Sequence, residues 1–270
     1  MTISTPDDVV AALAAGQPQT TYFPSVTTVA GRLTFMNAAS TQNQWGQLAT
    51  PTVRGSGGQL VDAGDAGFFP WTAAGGGTQD YLLLVAPANA TLGSWLIYDV
   101  VYAVSGFSGT VTTAQTITSM PTLTRPTNGE GLQLFAAIWG QIGTTPTTVT
   151  ASYTNQAGTA SRTTIAASIG ATGLREVYRL IPMPLQVGDS GVQAIASATL
   201  AGTTGTAGDW GLVLARPITQ VPAFSGGGCK PLDFAKLGLP PIDVDTAFGV
   251  FLLASTTTSG LSFMGWKIGS

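Results

Sequence analysis

The chain has 270 residues, of which 44% are apolar and only 9% charged, with 10 basic and 13 acidic side chains, one cysteine (Cys229) and no histidine. Histidine is the side chain most used for acid–base catalysis and metal ligation near neutral pH, and a lone cysteine forms no internal disulfide, so most enzymes and metal proteins are disfavoured. The basic residues are scattered and no stretch reaches the roughly 18 apolar residues of a membrane-spanning helix, so neither nucleic-acid binding nor a membrane span is expected.

The sequence predicts a helix over residues 6–15, near the start of the chain. Thr5 is a suitable N-cap, Pro6 suits the first turn, and acidic residues at positions 7 and 8 favour the positive end of the helix dipole. An apolar stripe follows, made of Val9, Val10 and Leu13, and Gly16 ends the helix. Two placements stay open: packing on its own domain, or docking on a neighbouring subunit as an arm over 1–20 with a linker at 17–20.

Beyond residue 20 the pattern changes to short apolar or alternating runs rich in β-branched and aromatic residues, separated by Gly, Pro, Asn and Thr clusters. The pattern predicts strands at 81–86, 94–105, 131–142, 147–154, 159–166, 175–181, 192–200, 210–216, 247–254 and 261–268. A turn at Asn155-Gln156-Ala157-Gly158 predicts a hairpin over 147–166, with Gly158 at positive φ. Many antiparallel strands at this spacing favour a mainly β fold, a jelly-roll-like β-sandwich.

Two regions break this pattern. Residues 55–77 are glycine-rich and contain the apolar run Phe68-Phe69-Pro70-Trp71, which we expect to pin an otherwise irregular loop. A hinge is predicted at 226–228, followed by a helical turn over 231–237 ended by Gly238 and by the two final strands. The predicted organisation is therefore an arm (1–20), a sandwich body (21–225) and a C-terminal segment (226–270) that packs on the body.

The candidate chemical motifs are weak. Asp243-Val244-Asp245 has the spacing of some metal-dependent transferases but no nucleotide-binding pattern around it, and a solvated loop is the simpler interpretation. Asp62 and Asp65 do not match a calcium loop, and glycines 75–77 lack the lysine of a phosphate loop. Nothing selects a carboxylate pair that includes Glu130 or Glu176, and no Ser–Lys motif surrounds the three lysines, Lys230, Lys236 and Lys267. We assign no catalytic, cofactor-binding or metal-binding residue, and expect most Trp and Tyr side chains in the core.

Several stretches, in order, resemble a group of tailed-bacteriophage virion structural proteins: PDDVVAALAAGQ, YDVVYAVSGF, LTRPTNGEGLQLFAAIW, VTASYTNQAGTASRTT, PLQVGDSGVQAI with TAGDWGLVL, and PLDFAKLGLPPIDVDTAF. The most specific part is YTNQAG (153–158) together with Leu123-Thr124-Arg125-Pro126. The resemblance is least clear over 21–80. It implies a structural or head-associated component of a particle and carries no catalytic residues with it.

Resemblance and composition lead to one functional expectation. The chain is expected to be a capsid decoration (cement) protein of a phage virion, assembled in the host cytoplasm, not an enzyme, whose partners are the major capsid protein and copies of itself in a homotrimer. A charge-poor surface suits large interfaces because little charge must be desolvated. The alternatives are a carbohydrate-binding or adhesin module of a head or tail fibre, which needs exposed aromatics, and a hydrolase with two carboxylates in a cleft.

Overall fold

The computed structural model describes residues 5–14, 19–23, 33–35, 50–62, 65, 80–88, 93–223, 232–233, 241–243, 245–254 and 262–269. Within them lie helix α1 (Pro6–Ala14), a 3₁₀ turn (Arg54–Ser56) and strands that differ widely in length. The strands are β1 (Gln19–Phe23), β2 (Leu33–Phe35), β3 (Gln59–Leu60), β4 (Asp80–Ala88), β5 (Gly93–Phe107), β6 (Gln115–Thr116), β7 (Gln133–Gly140), β8 (Thr147–Asn155), β9 (Arg162–Thr163), β10 (Ala167–Ile169), β11 (Leu180–Met183), β12 (Val192–Leu200), β13 (Asp209–Ala223), β14 (Leu232–Asp233), β15 (Pro241–Ile242), β16 (Phe248–Ala254) and β17 (Ser262–Gly269).

These strands pair antiparallel in three sheets. The largest has the order β11-β7-β13-β5-β16-β2, with β3 also beside β5. The second has the order β10-β8-β12-β6, with β9 beside β8, and the third has the order β1-β17-β4-β14, with β15 beside β4. The predicted fold class, a mainly β antiparallel sandwich with a short N-terminal helix, is confirmed.

The main core lies between the largest sheet and the β8–β12 sheet. Alternate residues of β7 and β13 point into it, including Leu134, Trp210 and Leu212, and they meet Val149 and Tyr153 from β8. These side chains are buried because each strand turns one face inward with a period of two residues. The resulting sandwich holds the loops at its ends in fixed positions.

The opposite face of the largest sheet is also apolar. Tyr98 stacks on Phe251 with ring centroids 4.5 Å apart, and Phe135 contacts both rings edge-on. Strand β5 thus contributes to two cores. A register shift in its pairing with β13 separates Val100 from Tyr102, so the residues that face this second core change from even to odd numbers.

The N-terminal helix begins with the predicted cap. The Asp8 N–H donates to Thr5 Oγ1 (3.3 Å) and the Thr5 N–H donates to Asp8 Oδ2 (2.8 Å), a reciprocal capping arrangement. The helix contacts β17 of its own chain, and Val10, predicted in the apolar stripe, is 60% exposed. Strand β1 begins at residue 19, so the predicted linker at 17–20 is wrong at its second half. The domain boundaries at 20 and 225 stay predictions.

Several predicted strands differ in length from the strands observed. The strands predicted at 81–86, 94–105, 147–154, 192–200 and 210–216 are present, and the last extends to residue 223. Of 159–166 only Arg162–Thr163 pairs with β8, and of 175–181 only the last two residues are strand, because Arg175–Tyr178 turn. The helical turn predicted over 231–237 is wrong at Leu232–Asp233, which pair with β4.

The two irregular regions are described only in part. Within 55–77, Gln59–Leu60 form a strand on β5, so that part of the expected loop is wrong. The aromatic run at 68–71 and the hinge at 226–228 lie outside the described residues. No helix among the residues described has the length and apolar character needed to cross a bilayer.

Candidate interaction surface

A groove of about 630 Å³ opens at the end of the sandwich where β7 begins. Its floor contains the buried Leu132, Leu134 and Met183, which belong to the main core. Exposed side chains form its walls: Gln133, Pro182, Pro184, Gln186, Val187 and Pro217. We call this the β7 groove. Its lining is mainly apolar, and Asp189 is the ionisable residue among those that line it.

The loop 186–190 forms one wall of the β7 groove and carries an unusually exposed apolar side chain. Val187 is 89% exposed, the most exposed of the large apolar side chains in the described part of the chain. Ile165 lies nearby in the fold, since its N–H donates to the Pro184 carbonyl (2.8 Å), and it is 54% exposed. A single exposed apolar side chain is common on a protein surface. Here, however, Val187 lines a concave and mainly apolar groove, and Ile165 lies beside its wall at Pro184.

Asp189 holds this loop on the sandwich. Its carboxylate accepts two hydrogen bonds from Arg162 (2.9 and 3.1 Å), one from the Tyr153 hydroxyl (2.5 Å) and one from the Asn155 amide (2.7 Å). The side chain is only 2% exposed, and the N–H of Gln186 donates back to the Tyr153 hydroxyl (2.9 Å). The loop is therefore tied to β8 and β9 at both of its ends, and we call this set the Asp189 cluster.

The charge of the Asp189 cluster is settled by its hydrogen bonds. Donation from Arg162, then from Tyr153, lowers the pKa of Asp189 to about 2. The carboxylate is therefore ionised over the physiological range and is neutralised by the Arg162 guanidinium. Burial, and the hydrogen bond to Asp189, raise the pKa of Tyr153, so its hydroxyl stays a donor. The β7 groove consequently presents no uncompensated charge from the cluster.

A second buried carboxylate lies in the middle of the largest sheet. Asp99 is fully buried and pairs with Arg125 (3.1 Å) and with Arg216 (3.4 Å), and the Ala247 N–H donates to it (3.2 Å). Arg125 also donates to the carbonyls of Val61 and Val100. Burial raises the pKa of Asp99, and the Arg125 charge opposes that shift. We call this the Asp99 cluster; it joins strands and loops that are far apart in sequence.

The carboxylates of the weak sequence motifs do not form a shared metal or catalytic site in the described part of the chain. Asp243 pairs with Arg216 (2.9 Å), and Asp65 accepts a hydrogen bond from the N–H of Asp62 (3.0 Å). Glu176 accepts from the N–H groups of Gly173 and Arg175, which with nearby arginines explains its lowered pKa despite burial. Among the described ranges no group of three or more His, Cys, Asp or Glu side chains could hold a metal ion. Glycines 75–77, Lys230, Lys236 and Cys229 lie outside those ranges.

The Trp and Tyr side chains that the structure describes follow the prediction of a core role. Trp95, Trp210, Tyr102 and Tyr153 are buried, and burial raises the pKa of Tyr102. Trp139 and Tyr178 are half-buried against the second core. An exposed row of aromatic rings, which a sugar-binding face would need, is not found among the side chains described.

Sequence reasoning missed both carboxylate clusters. In the sequence, Asp99 interrupts an apolar run at 95–104, and Asp189 lies in the Gly-Asp-Ser-Gly stretch at 188–191, which is typical of a tight turn. The usable signal was Asp99 itself, because a carboxylate inside a buried strand must be paired. Its partners, Arg125 and Arg216, lie 26 and 117 residues away in the chain and had no local signature.

Comparisons with known proteins add little to this geometry. No family model matches the chain, and no curated protein matches it significantly. Two solved structures of infectious bursal disease virus are weakly similar. The Gt strain structure is 11% identical, with 93% of this chain and 79% of that chain covered and a TM-score of 0.20. A mutant VP2 protein in derived T=1 particles is 8% identical, with 100% and 85% covered and a TM-score of 0.16. At such scores the similarity supports no conclusion about fold or function.

Proposed function

We propose that the chain is a structural component of a phage virion rather than an enzyme, and specifically a capsid decoration protein that binds the head as a homotrimer. The observation that carries the proposal is the pairing of charged side chains within the sandwich. Two arginine–carboxylate pairs, Arg125–Asp99 and Arg162–Asp189, are formed inside the chain, while an open, mainly apolar groove remains at the surface. Such a surface associates with a protein partner at little cost in charge desolvation.

The resemblance to tailed-phage virion proteins supports the same proposal. Two of its most specific positions have structural roles here: Tyr153 binds Asp189, and Arg125 binds Asp99. The matching motifs therefore coincide with the residues that hold the sandwich and its groove loop in shape. In a family of structural proteins without a catalytic site, we expect the most specific residues to be those that hold the fold in shape.

The adhesin alternative has less support. A carbohydrate-binding face needs aromatic rings exposed on a concave sheet, whereas the described Trp and Tyr side chains are buried or half-buried. The two-carboxylate hydrolase has less still, because the buried Asp99 and the cluster-bound Asp189 are each saturated by arginine and hydrogen-bond donors.

The proposal is tested by electron cryo-microscopy of particles purified from the phage that encodes this chain. We expect density for the sandwich on the outer surface of the head, repeated as trimers that contact the major capsid protein. Density at the tip of a fibre would instead favour the adhesin alternative. A purified particle without the chain would contradict a virion role.

A further inference from the structure

We propose that the β7 groove and loop 186–190 together form the contact between copies of this chain. In this contact the exposed Val187 side chain of one copy, which we call the Val187 tip, is seated in the groove of the next. This inference rests on the proposed function, since it identifies the surface used for self-association. It begins from two features that share one wall. Loop 186–190 lines the groove, and its Val187 side chain is at the same time 89% exposed to solvent.

The tip is rigid enough to act as a preformed contact. The Asp189 N–H donates to the Gln186 carbonyl (3.0 Å), which closes the loop, and the Ser190 N–H donates to the Gln156 side chain (3.1 Å). Together with the Asp189 cluster these bonds order the loop within the isolated chain. A partner therefore gains the apolar contact without the entropy cost of ordering the loop. An exposed valine held this firmly has no evident role in folding.

The charge of the surface selects the kind of partner. Asp189 is the ionisable residue that lines the groove, and Arg162 compensates it. An acidic or basic partner would therefore find no opposite charge there and would lose its own hydration. A second copy of this chain matches the neutral groove, because charged residues make up only 9% of it and its Val187 tip is apolar.

The contact must extend past the tip. A stable interface buries about 800 Å² on each partner, more than one valine supplies. The exposed Ile165 and Pro184 lie beside the loop and extend the apolar surface. Because every copy carries both tip and groove, each copy donates one tip and accepts another, which permits closed dimers or rings.

The test compares charged substitutions in the full chain by sedimentation over micromolar concentrations. Val187→Asp removes the apolar tip, and Pro217→Asp places a charge on the exposed far side of the groove. Val111→Asp is the matched control, because Val111 is 37% exposed and does not line the groove. Circular dichroism melting verifies that each variant folds, and if either groove variant does not fold the other carries the test.

We expect Val187→Asp and Pro217→Asp each to raise the dissociation constant about tenfold or more, as loss of a central contact does, and Val111→Asp to leave it unchanged. Unchanged association in both, or a wild-type chain that stays monomeric, would overturn the proposal.

One further result would separate this inference from the proposed function. If Val187→Asp self-associates normally but no longer binds the particle, the groove receives another virion protein and not a second copy. The self-association surface would then be wrong while the virion role stood. Conversely, the chain could be absent from the particle while copies associate in solution through the tip and the groove. The self-association surface would then stand and the virion role would be wrong.

Discussion

The Asp99 and Asp189 clusters use the same chemistry in different places. Both contain a carboxylate with almost no exposed surface, paired with arginine at about hydrogen-bond distance. Yet burial raises the pKa of Asp99, whereas hydrogen bonds from Arg162 and Tyr153 lower that of Asp189 to about 2. The difference reflects location: Asp99 lies within the central strand of the largest sheet, and Asp189 lies in a loop at the sandwich end.

This difference indicates two separate roles. The Asp99 cluster joins β5 to residues 61, 125, 216 and 247, so its loss would disturb the whole sheet. The Asp189 cluster joins one surface loop to β8 and β9, so its loss would release the groove wall and leave the sheets paired. The Asp99 cluster therefore supports folding, and the Asp189 cluster presents the proposed contact surface.

The largest expected effect comes from removing the partner of the buried carboxylate. Arg125→Met leaves the buried Asp99 carboxyl without its main partner, and breaking a buried ion pair by removing one partner costs about 3–5 kcal/mol. Urea unfolding monitored by circular dichroism measures the loss. Arg216→Met is the control, because Arg216 is 30% exposed and contacts Asp99 at a longer distance. An equal loss in both variants would contradict the central role given to Arg125.

The contribution of the Asp189 cluster to stability is tested by measuring the unfolding free energy over a series of pH values. The pKa of Asp189 is lower in the folded chain than its ordinary value of 3.8, so its contribution to stability is fully present above about pH 4. That contribution is lost as the pH falls from about 4 towards 2. Asp189→Asn should flatten this part of the curve of unfolding free energy against pH. Identical slopes for the wild type and the variant would show that Asp189 is not the group responsible.

The smallest effect is expected at the turn beside the Asp189 cluster. Gly158 has φ of +78° and its N–H donates to the Asn155 carbonyl (2.9 Å), so a β-branched side chain is strained there. Gly158→Val should cost about 1 kcal/mol or more. Little else opposes the substitution, since an added Cβ would meet only the Gln193 side chain, at 3.9 Å.

Gly158→Asn is the matched control for this turn, because asparagine tolerates positive φ better than valine does. Thermal melting of both variants distinguishes backbone strain from crowding. If both melt at the wild-type temperature, the strain assigned to the turn is absent.

The sequence predicted the fold better where local pattern decides structure. The alternating run at 147–154 predicted β8, and the turn at 155–158 predicted the positive φ of Gly158 and a hairpin, of whose second strand only Arg162–Thr163 pair with β8. The strand expected at 175–181 failed because Glu176 binds backbone N–H groups of its own loop, and Tyr178 has φ of +65°. Such side-chain-to-backbone contacts have no hydrophobic period.

The interaction surface was less accessible to sequence reasoning. Composition indicated self-association, and the resemblance marked the stretches around Arg125 and Tyr153, but neither indicated a groove. Its walls come from β7, β11, β13 and the loop after β11, which meet only in the folded sheet. The exposure of Val187 likewise depends on tertiary contacts of Asp189 with β8, 34 and 36 residues away.

The most direct test of the account measures two quantities on the same two variants, Arg125→Met and Asp189→Asn. These quantities are the unfolding free energy at neutral pH and the dissociation constant for self-association. We expect Arg125→Met to lose much of its stability, and Asp189→Asn to keep most of its stability while associating more weakly than the wild type. An Asp189→Asn variant that is the less stable of the two, or that associates as tightly as the wild type, would show that the two clusters do not have separate roles.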